Sequence, residues 1–246
     1  MTFSDDEIER YARHLVLAEV GGPGQQRLKA ARIGLIGLGG VGAPAALYLA
    51  AAGVGTLCLI DDDTVALSNL QRQIAFDASD IGRPKVEAGA ATLNALNPHV
   101  RIEAVAGRLT GANAGRLIEG CDVVIDGTDD FGTRFAVNAA CVAARVPLVS
   151  GALGRWSGQV GVFTGRPCYR CLVPVVPTGA ETCARVGVIG ALAGVVGAMT
   201  ALEAIKVIVG AGAPLAGRLL IYDGLAGTAR TVAVGADPDC PVCAAR

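Results

Sequence analysis

Apolar positions along the chain form two kinds of run. Between residues 32 and 151, short and nearly uninterrupted apolar blocks alternate with longer stretches of helical period. The blocks predict strands at Arg32–Gly37, Thr56–Asp61, Val100–Ala106, Asp122–Asp126 and Pro147–Gly151. The stretches between them predict helices at Ala43–Ala52, Pro84–Leu96, Gly111–Glu119 and Thr133–Ala144. Strands that are apolar on both faces, each followed by a helix, belong to a mostly parallel sheet covered on both sides, an α/β Rossmann-like architecture. Upstream, Ile8, Tyr11, Leu15 and Ala18 share one face of a helix expected over 4–18, with Ser4 as its N-cap. "VGGPGQQ" breaks that helix, and a short one near Gln26–Ala31 leads into the first strand. Beyond Gly151, "GQVGVFTG", "RLLIYDG" and "ARTVAVG" predict further strands, antiparallel additions to the same sheet. A long helix at about Gly187–Val209 lies between them. With no flexible linker or repeat, the expected organisation is one domain over 1–246: N-terminal helices to 31, a nucleotide-binding half over 32–165 and a C-terminal half over 166–246.

Composition and charge narrow this picture further. Of 246 residues 52% are hydrophobic and 17% charged, so the chain can bury a large core and lacks the composition of a disordered chain. The net charge of −1 offers no global reason to bind nucleic acid or an anionic membrane. The uncharged run "VGVIGALAGVVGAMTAL" is slightly short for a membrane span, and Gly187, Gly190, Gly194 and Gly197 recur at helical spacing. That stripe predicts a helix buried on most sides against a close neighbour. The acidic start "MTFSDDEIERYARH" lacks the layout of a secretory signal, so the expected location is the cytoplasm.

The candidate chemistry begins with Gly37-Leu38-Gly39-Gly40-Val41-Gly42, a G-x-G-x-x-G turn between strand and helix. Such a turn lets backbone N–H groups and a helix N-terminus approach a phosphate. Asp61, at the end of the second strand, is placed to take ribose hydroxyls. A dehydrogenase would turn quickly into its next helix, but here "DDDTVALSNLQRQIAFDASDIGRPK" intervenes, carrying Asn69, Arg72, Gln73, Arg83 and Lys85. A dinucleotide pyrophosphate carries two negative charges. A triphosphate carries up to four and calls for Arg or Lys clamps, which Arg72 and Lys85 supply. Asp126, Asp129 and Asp130 fall at the end of the fourth strand, where a carboxylate beside a triphosphate is a candidate Mg²⁺ ligand and an Asp-rich turn is a candidate helix cap. The pairs Cys168-Tyr-Arg-Cys171 and Cys240-Pro-Val-Cys243 predict a closed four-thiolate Zn²⁺ site that staples the chain end to its middle. Cys183 lies in a polar segment close to Arg185, where its pKa could be lowered, and either a spectator or a nucleophilic role fits it. Cys58, Cys121 and Cys141 read as core, and His14 and His99 as structural or surface residues.

"GLGGVG", "LIDDDTVALSNLQRQ", "GRPK", "DGTDD", "CYRC" and "CPVC", in this order, resemble the MoeB/ThiF family, bacterial relatives of the ubiquitin-activating enzymes. The likeness spans essentially the whole chain. It implies a homodimer with one continuous sheet, an ATP·Mg²⁺ site and a structural zinc. It also implies adenylation of the C-terminal carboxylate of a small ubiquitin-like sulfur carrier ending in Gly-Gly. By the motif, Gly40 approaches the phosphates, Asp61 binds the ribose, Asn69, Arg72 and Lys85 hold the triphosphate, and Asp129 serves the metal. Ser68, Leu70 and Gln71 belong to the same nucleotide-contacting motif. Arg13 matches an arginine that reaches across the dimer, and Cys183 aligns with a cysteine that some members link to the carrier. Two positions depart from the pattern: Asp130 stands where the family has Asn, and His14 where it has Gln. No sulfur-donating domain is expected in this chain, and a separate protein is expected to donate sulfur. Competing readings are an NAD-dependent oxidoreductase, a zinc-stapled nucleotide-sensing protein without catalysis, and a family relative acting on a tRNA carboxylate.

Overall fold

The computed structural model describes residues 2–176 and 187–244. Its centre is an eight-stranded sheet in the order β3-β2-β1-β4-β5-β6-β7-β8. The parallel part comprises β1 (Arg32–Ile36), β2 (Thr56–Asp61), β3 (Arg101–Ala106), β4 (Val123–Asp126) and β5 (Leu148–Gly154). The antiparallel part adds β6 (Ser157–Phe163), β7 (Arg218–Asp223) and β8 (Thr228–Ala233). From β1 the chain moves outward to β2 and β3, then returns to the other side of β1 as β4 and β5. The order therefore reverses between β1 and β4, and the carboxyl ends of the strands open a crevice at that point.

The parallel strands are apolar because helices cover both faces. On one face α3 (Gly21–Ala30), α4 (Gly42–Ala51), α5 (Lys85–Leu96) and α9 (Gly190–Val209) enclose a core around Leu35, Leu49, Leu59, Ile125 and Val196. On the other, α6 (Ala114–Leu117), α7 (Phe131–Ala144) and α8 (Tyr169–Leu172) pack over Ile36, Ile60, Val124 and Phe163. The edge strands β3 and β8 lack this double cover and carry largely exposed or half-exposed residues.

Three predicted elements differ. The helix expected over 4–18 breaks at Tyr11 into α1 (Asp5–Arg10) and α2 (Ala12–Leu15), although Ser4 does cap it, in a capping box with Glu7. Of the expected apolar face only Tyr11 is buried; Ile8 and Ala18 are exposed. The reason is tertiary: the Tyr11 ring lies against Gly53, and its hydroxyl accepts from Asn97 Nδ2 at 2.8 Å. The next helix, α3, starts at Gly21 rather than Gln26, with Pro23 in its first turn, where a missing N–H costs no bond. The helix expected over Gly111–Glu119 is the single turn α6, because Asn113 Oδ1 accepts from Thr110 N at 2.7 Å and holds a non-helical turn ahead of it.

The long apolar helix α9 is, by length and composition, able to cross a membrane, with a mean hydropathy of 1.9, yet half of it is buried inside this fold. Two members of its glycine stripe permit close approach. A Cβ at Gly197 would collide with Pro44, and one at Gly190 with the carbonyl oxygen of Gln71. Gly194 meets nothing, and Gly187 precedes the helix.

Candidate functional site

The glycine turn joins β1 to α4 under the crevice. At Gly42 a Cβ would strike the carbonyl oxygen of Gly37, so the third glycine is what lets α4 begin so tightly against the strand. Gly40 differs: a Cβ there would meet only ordinary contacts, with Ala193 at 3.5 Å and Arg72 Cδ at 3.6 Å. Packing does not demand glycine at 40, and its bare backbone lines a cavity of about 570 Å³ at the carboxyl ends of the parallel strands.

Around that cavity the fold gathers Asp61, Asn69, Arg72, Lys85, Asp129 and Asp130. Asp61 Oδ2 accepts from the backbone N–H of Leu38 in the glycine turn at 2.6 Å, and its Oδ1 from Asp63 N at 2.8 Å. Burial pushes the Asp61 carboxyl above its ordinary range, against the pull of Leu38 N–H and Lys85. Lys85 opens α5 and is buried, and its Nζ lies 2.7 Å from the exposed carboxylate of Asp63. Asn69 ends a 3₁₀ turn at Leu67–Asn69 by accepting from Ala66 N at 3.1 Å, and Arg72 donates to Ser68 O at 2.9 Å. Two cations thus stand beside a bare-backbone turn, where an anionic chain of phosphates is the complementary ligand.

The three acidic residues at and beyond the end of β4 divide their work. Asp126 is fully buried: its Oδ1 accepts from Thr128 N and Oγ1, and its Oδ2 lies 3.3 Å from Arg134 Nη1 and from Ser150 Oγ. Asp130 caps α7, its Oδ2 accepting from Thr133 N, Thr133 Oγ1 and, at 3.0 Å, Arg108. Those donors hold its carboxyl below the ordinary range, the Thr133 backbone N–H foremost. Asp129 is exposed on the cavity wall.

Arg108, Arg134 and Tyr169 also line the cavity, and the sequence reading passed over them. Arg134 is buried and donates to Ser150 Oγ, Gly151 O and Thr128 O, bracing the floor of the site. Burial opposes its charge, but Asp126 and Tyr169 more than offset that and raise its pKa. A signal was present: Arg134 is the one charged residue in the largely apolar stretch that became α7. Arg108 carries no such signal, since a polar residue after an edge strand is ordinary.

Some predicted residues fall elsewhere. Ser68 and Gln71 are exposed and Leu70 packs on the core, and none of the three lines the cavity. Arg13 is exposed on α2, away from the cavity lining. Cys183 lies outside the described residues.

The four cysteines of the two pairs converge, their sulfurs all within 4.8 Å of one another. Cys168 and Cys240 are 3.7 Å apart, and Cys171 and Cys243 3.4 Å. Four bonds of Zn–S length in a tetrahedron require about 3.8 Å between sulfurs, so the donor set fits zinc with no open position. Burial opposes ionisation of Cys240, but the N–H groups of Val242 and Cys243 and the neighbouring thiols bring it to about 7. Burial drives Cys168 upward, against the N–H of Asn138 and that of Arg170. Asn138 on α7 joins this cluster to the rest of the fold: its Oδ1 accepts from Tyr169 N at 2.8 Å, and its Nδ2 lies 3.5 Å from Cys168 Sγ.

Comparison with known proteins agrees with this geometry. The model of the ThiF family matches residues 11–242. A sulfur carrier protein adenylyltransferase of Thermus thermophilus is 44% identical over 99% of this chain and 93% of its own length. A molybdopterin-synthase adenylyltransferase of Escherichia coli is 45% identical over 98% of each. Among solved structures, E. coli MccB superposes with a TM-score of 0.85 over 99% of this chain and 74% of that one, at 23% identity, which is a likeness of fold.

Proposed function

The chain belongs to the ThiF family, and on that premise we propose that it is an adenylyltransferase, using ATP to activate the C-terminal glycine carboxylate of a small ubiquitin-like sulfur carrier protein. The observation that carries this reading is the pairing of a bare-backbone glycine turn with Arg72 and Lys85 around one cavity. An NAD enzyme would use the turn and Asp61 but would not call for two cations on the cavity wall. Relatives named as adenylyltransferases match the chain nearly end to end, which supports the same activity here.

In the proposed reaction the carrier's carboxylate oxygen attacks the α-phosphorus of ATP, and the bond to the bridging oxygen of pyrophosphate breaks. A carboxylate needs no general base, so the protein's contribution is alignment and charge neutralisation. Gly40 lets the backbone approach the phosphates, Asp61 takes the ribose hydroxyls, and Asn69, Arg72 and Lys85 face the triphosphate. Negative charge grows on the departing pyrophosphate, where Arg72 and Lys85 stabilise it. Asp129, exposed beside the cavity, is the carboxylate suited to hold Mg²⁺, which when bound neutralises phosphate charge. Asp130 is already engaged by Thr133 and Arg108, and its role is to cap α7. Cys168, Cys171, Cys240 and Cys243 would hold a structural zinc with no open position for chemistry. Arg13 is exposed outside the cavity, so it serves a site only in a homodimer, reaching into the partner's. The acyl-adenylate then passes to a separate sulfur donor protein in the cytoplasm, with carriers of molybdopterin or thiamine synthesis as the two candidate substrates.

ATP–pyrophosphate exchange dependent on a Gly-Gly-ending carrier tests the reading. Arg72→Ala and Asp129→Ala each abolish exchange while circular dichroism and Tm stay those of the parent. Exchange retained in either variant removes the role given to that residue, and absence of exchange in the parent with both carrier types removes the reading itself.

A further inference from the structure

Gln73 is 3% exposed and lines the nucleotide cavity, and its Oε1 is buried without a hydrogen-bond partner. Among the described residues one other buried side-chain atom is in this position, Arg170 Nε, and Arg170 is not part of the cavity lining. The Gln73 backbone is held on both sides: its N–H donates to Asn69 O at 2.9 Å, and its carbonyl accepts from Phe76 N at 3.2 Å. The carboxamide lies over the glycine turn, where a Cβ at Gly39 would stand 3.8 Å from Nε2. The fold therefore keeps an unused acceptor within the wall of the site, next in sequence to Arg72.

An unpaired buried acceptor costs free energy that a ligand's donor can recover. Phosphates cannot be that donor, because an ionised triphosphate offers oxygens and no protons. They are matched by Arg72, Lys85 and backbone N–H groups instead. The ribose hydroxyls have Asp61. The remaining donor of ATP, the adenine amine, is held apart from the α-phosphate by the ribose, whereas the carrier tail brings a donor beside the α-phosphate whenever the reaction occurs. The attacking carboxylate has to sit about 3–3.5 Å from the α-phosphorus, and the N–H of the residue bearing it is only two bonds from the carboxyl carbon.

We propose that Gln73 Oε1 accepts the last peptide N–H of the carrier tail, so that the carboxylate of the terminal glycine is held in line with the α-phosphate. The assignment rests on the carrier reading above and adds a specificity rule to it. The terminal residue must be an amino acid joined through a secondary amide, so a tail ending in proline or in an ester-linked hydroxy acid is a poor substrate.

The test is a double-substitution cycle in carrier-dependent ATP–pyrophosphate exchange. One arm is Gln73→Met, of similar length and without an acceptor oxygen. The other is a ligated small ubiquitin-like carrier whose terminal glycine is replaced by glycolate, which turns the last peptide bond into an ester and so removes its N–H with little change of shape. Each change alone is expected to lower kcat/KM for the carrier about tenfold, and the two together no further than either alone. The ester arm leaves the enzyme untouched, so a misfolded variant cannot imitate it. Losses that multiply to about a hundredfold, or an ester carrier as good as the amide, overturn the assignment while leaving carrier adenylation standing. A loss of ATP affinity in Gln73→Met, titrated without carrier, that accounts for its whole deficit also overturns it. A parent enzyme that exchanges with no Gly-Gly carrier removes the underlying function instead.

Discussion

The two ends of the parallel strands are built from similar residues and put to opposite uses. At the amino ends, Arg32 on β1 lies 2.6 Å from Glu103 on β3 and 2.7 Å from Cys58 on β2, and its backbone N–H donates to Asp122 at 2.8 Å. The cluster is closed, each member serving another. The Arg32 guanidinium holds Glu103 down at about 2, while burial and Glu103 push Cys58 up to about 12, which leaves the thiol inert. At the carboxyl ends, Asp61, Arg72, Lys85, Asp129 and Gln73 surround a cavity, and Gln73 has an acceptor with no partner. Both ends hold charge, so charge does not mark the site. What marks it is the cavity these groups line and the one buried acceptor, on Gln73, that the fold leaves without a partner there.

That contrast can be broken at the open end first. Lys85→Met is expected to lower carrier-dependent exchange by about 10²–10³. It should move stability by about 1 kcal/mol at most, because the abandoned Asp63 carboxylate is largely exposed and rehydrates. A large fall in Tm with activity retained would show the open end to be structural after all. Arg134 sharpens the contrast from within, since it stands at the open end yet is fully paired. Arg134→Met leaves Asp126 buried without its cation and should cost about 3–5 kcal/mol in a urea melt. Asp126→Asn in the same chain should recover part of that loss, whereas no recovery would mean that Asp126 is not what Arg134 serves.

The smallest effect belongs to the closed end. Glu103 has a folded-state pKa of about 2 against an ordinary 4.5, so its contribution to stability is complete above about pH 4.5 and is lost as the pH falls through about 2. Glu103→Gln should lower Tm near neutrality by no more than a few degrees, leave exchange unchanged, and converge on the parent as the pH approaches 2. A constant difference at every pH would assign the effect to packing instead of charge.

Much of the architecture was legible along the chain because periodicity is local. β2 runs over the predicted Thr56–Asp61, and the three late strands are antiparallel as expected. The helix over 4–18 misled because the burial of Tyr11 depends on Gly53 and Asn97, which no pattern near residue 11 encodes. In the site, Gly40, Asp61, Arg72, Lys85 and Asp129 could be named from motif and strand end. The cap made by Asp130 was one of two readings the Asp-rich turn offered, and the structure selects it; the brace made by Arg134 and the orphaned acceptor of Gln73 had no such reading.

By itself, then, the sequence determined the alternation of strand and helix, the glycine turn at its reversal point and two thiol pairs of equal spacing. These follow from interactions within a few residues, where backbone geometry and hydrophobic period leave little choice. Only the tertiary structure decided which polar groups are consumed and which stay free. Lys85 meets Asp63 across 22 residues, Arg108 meets Asp130 across 22, and Cys168 meets Cys240 across 72. Whether a charge is available to a ligand depends on who stands beside it after folding, and that is a distance in space which the chain does not spell out.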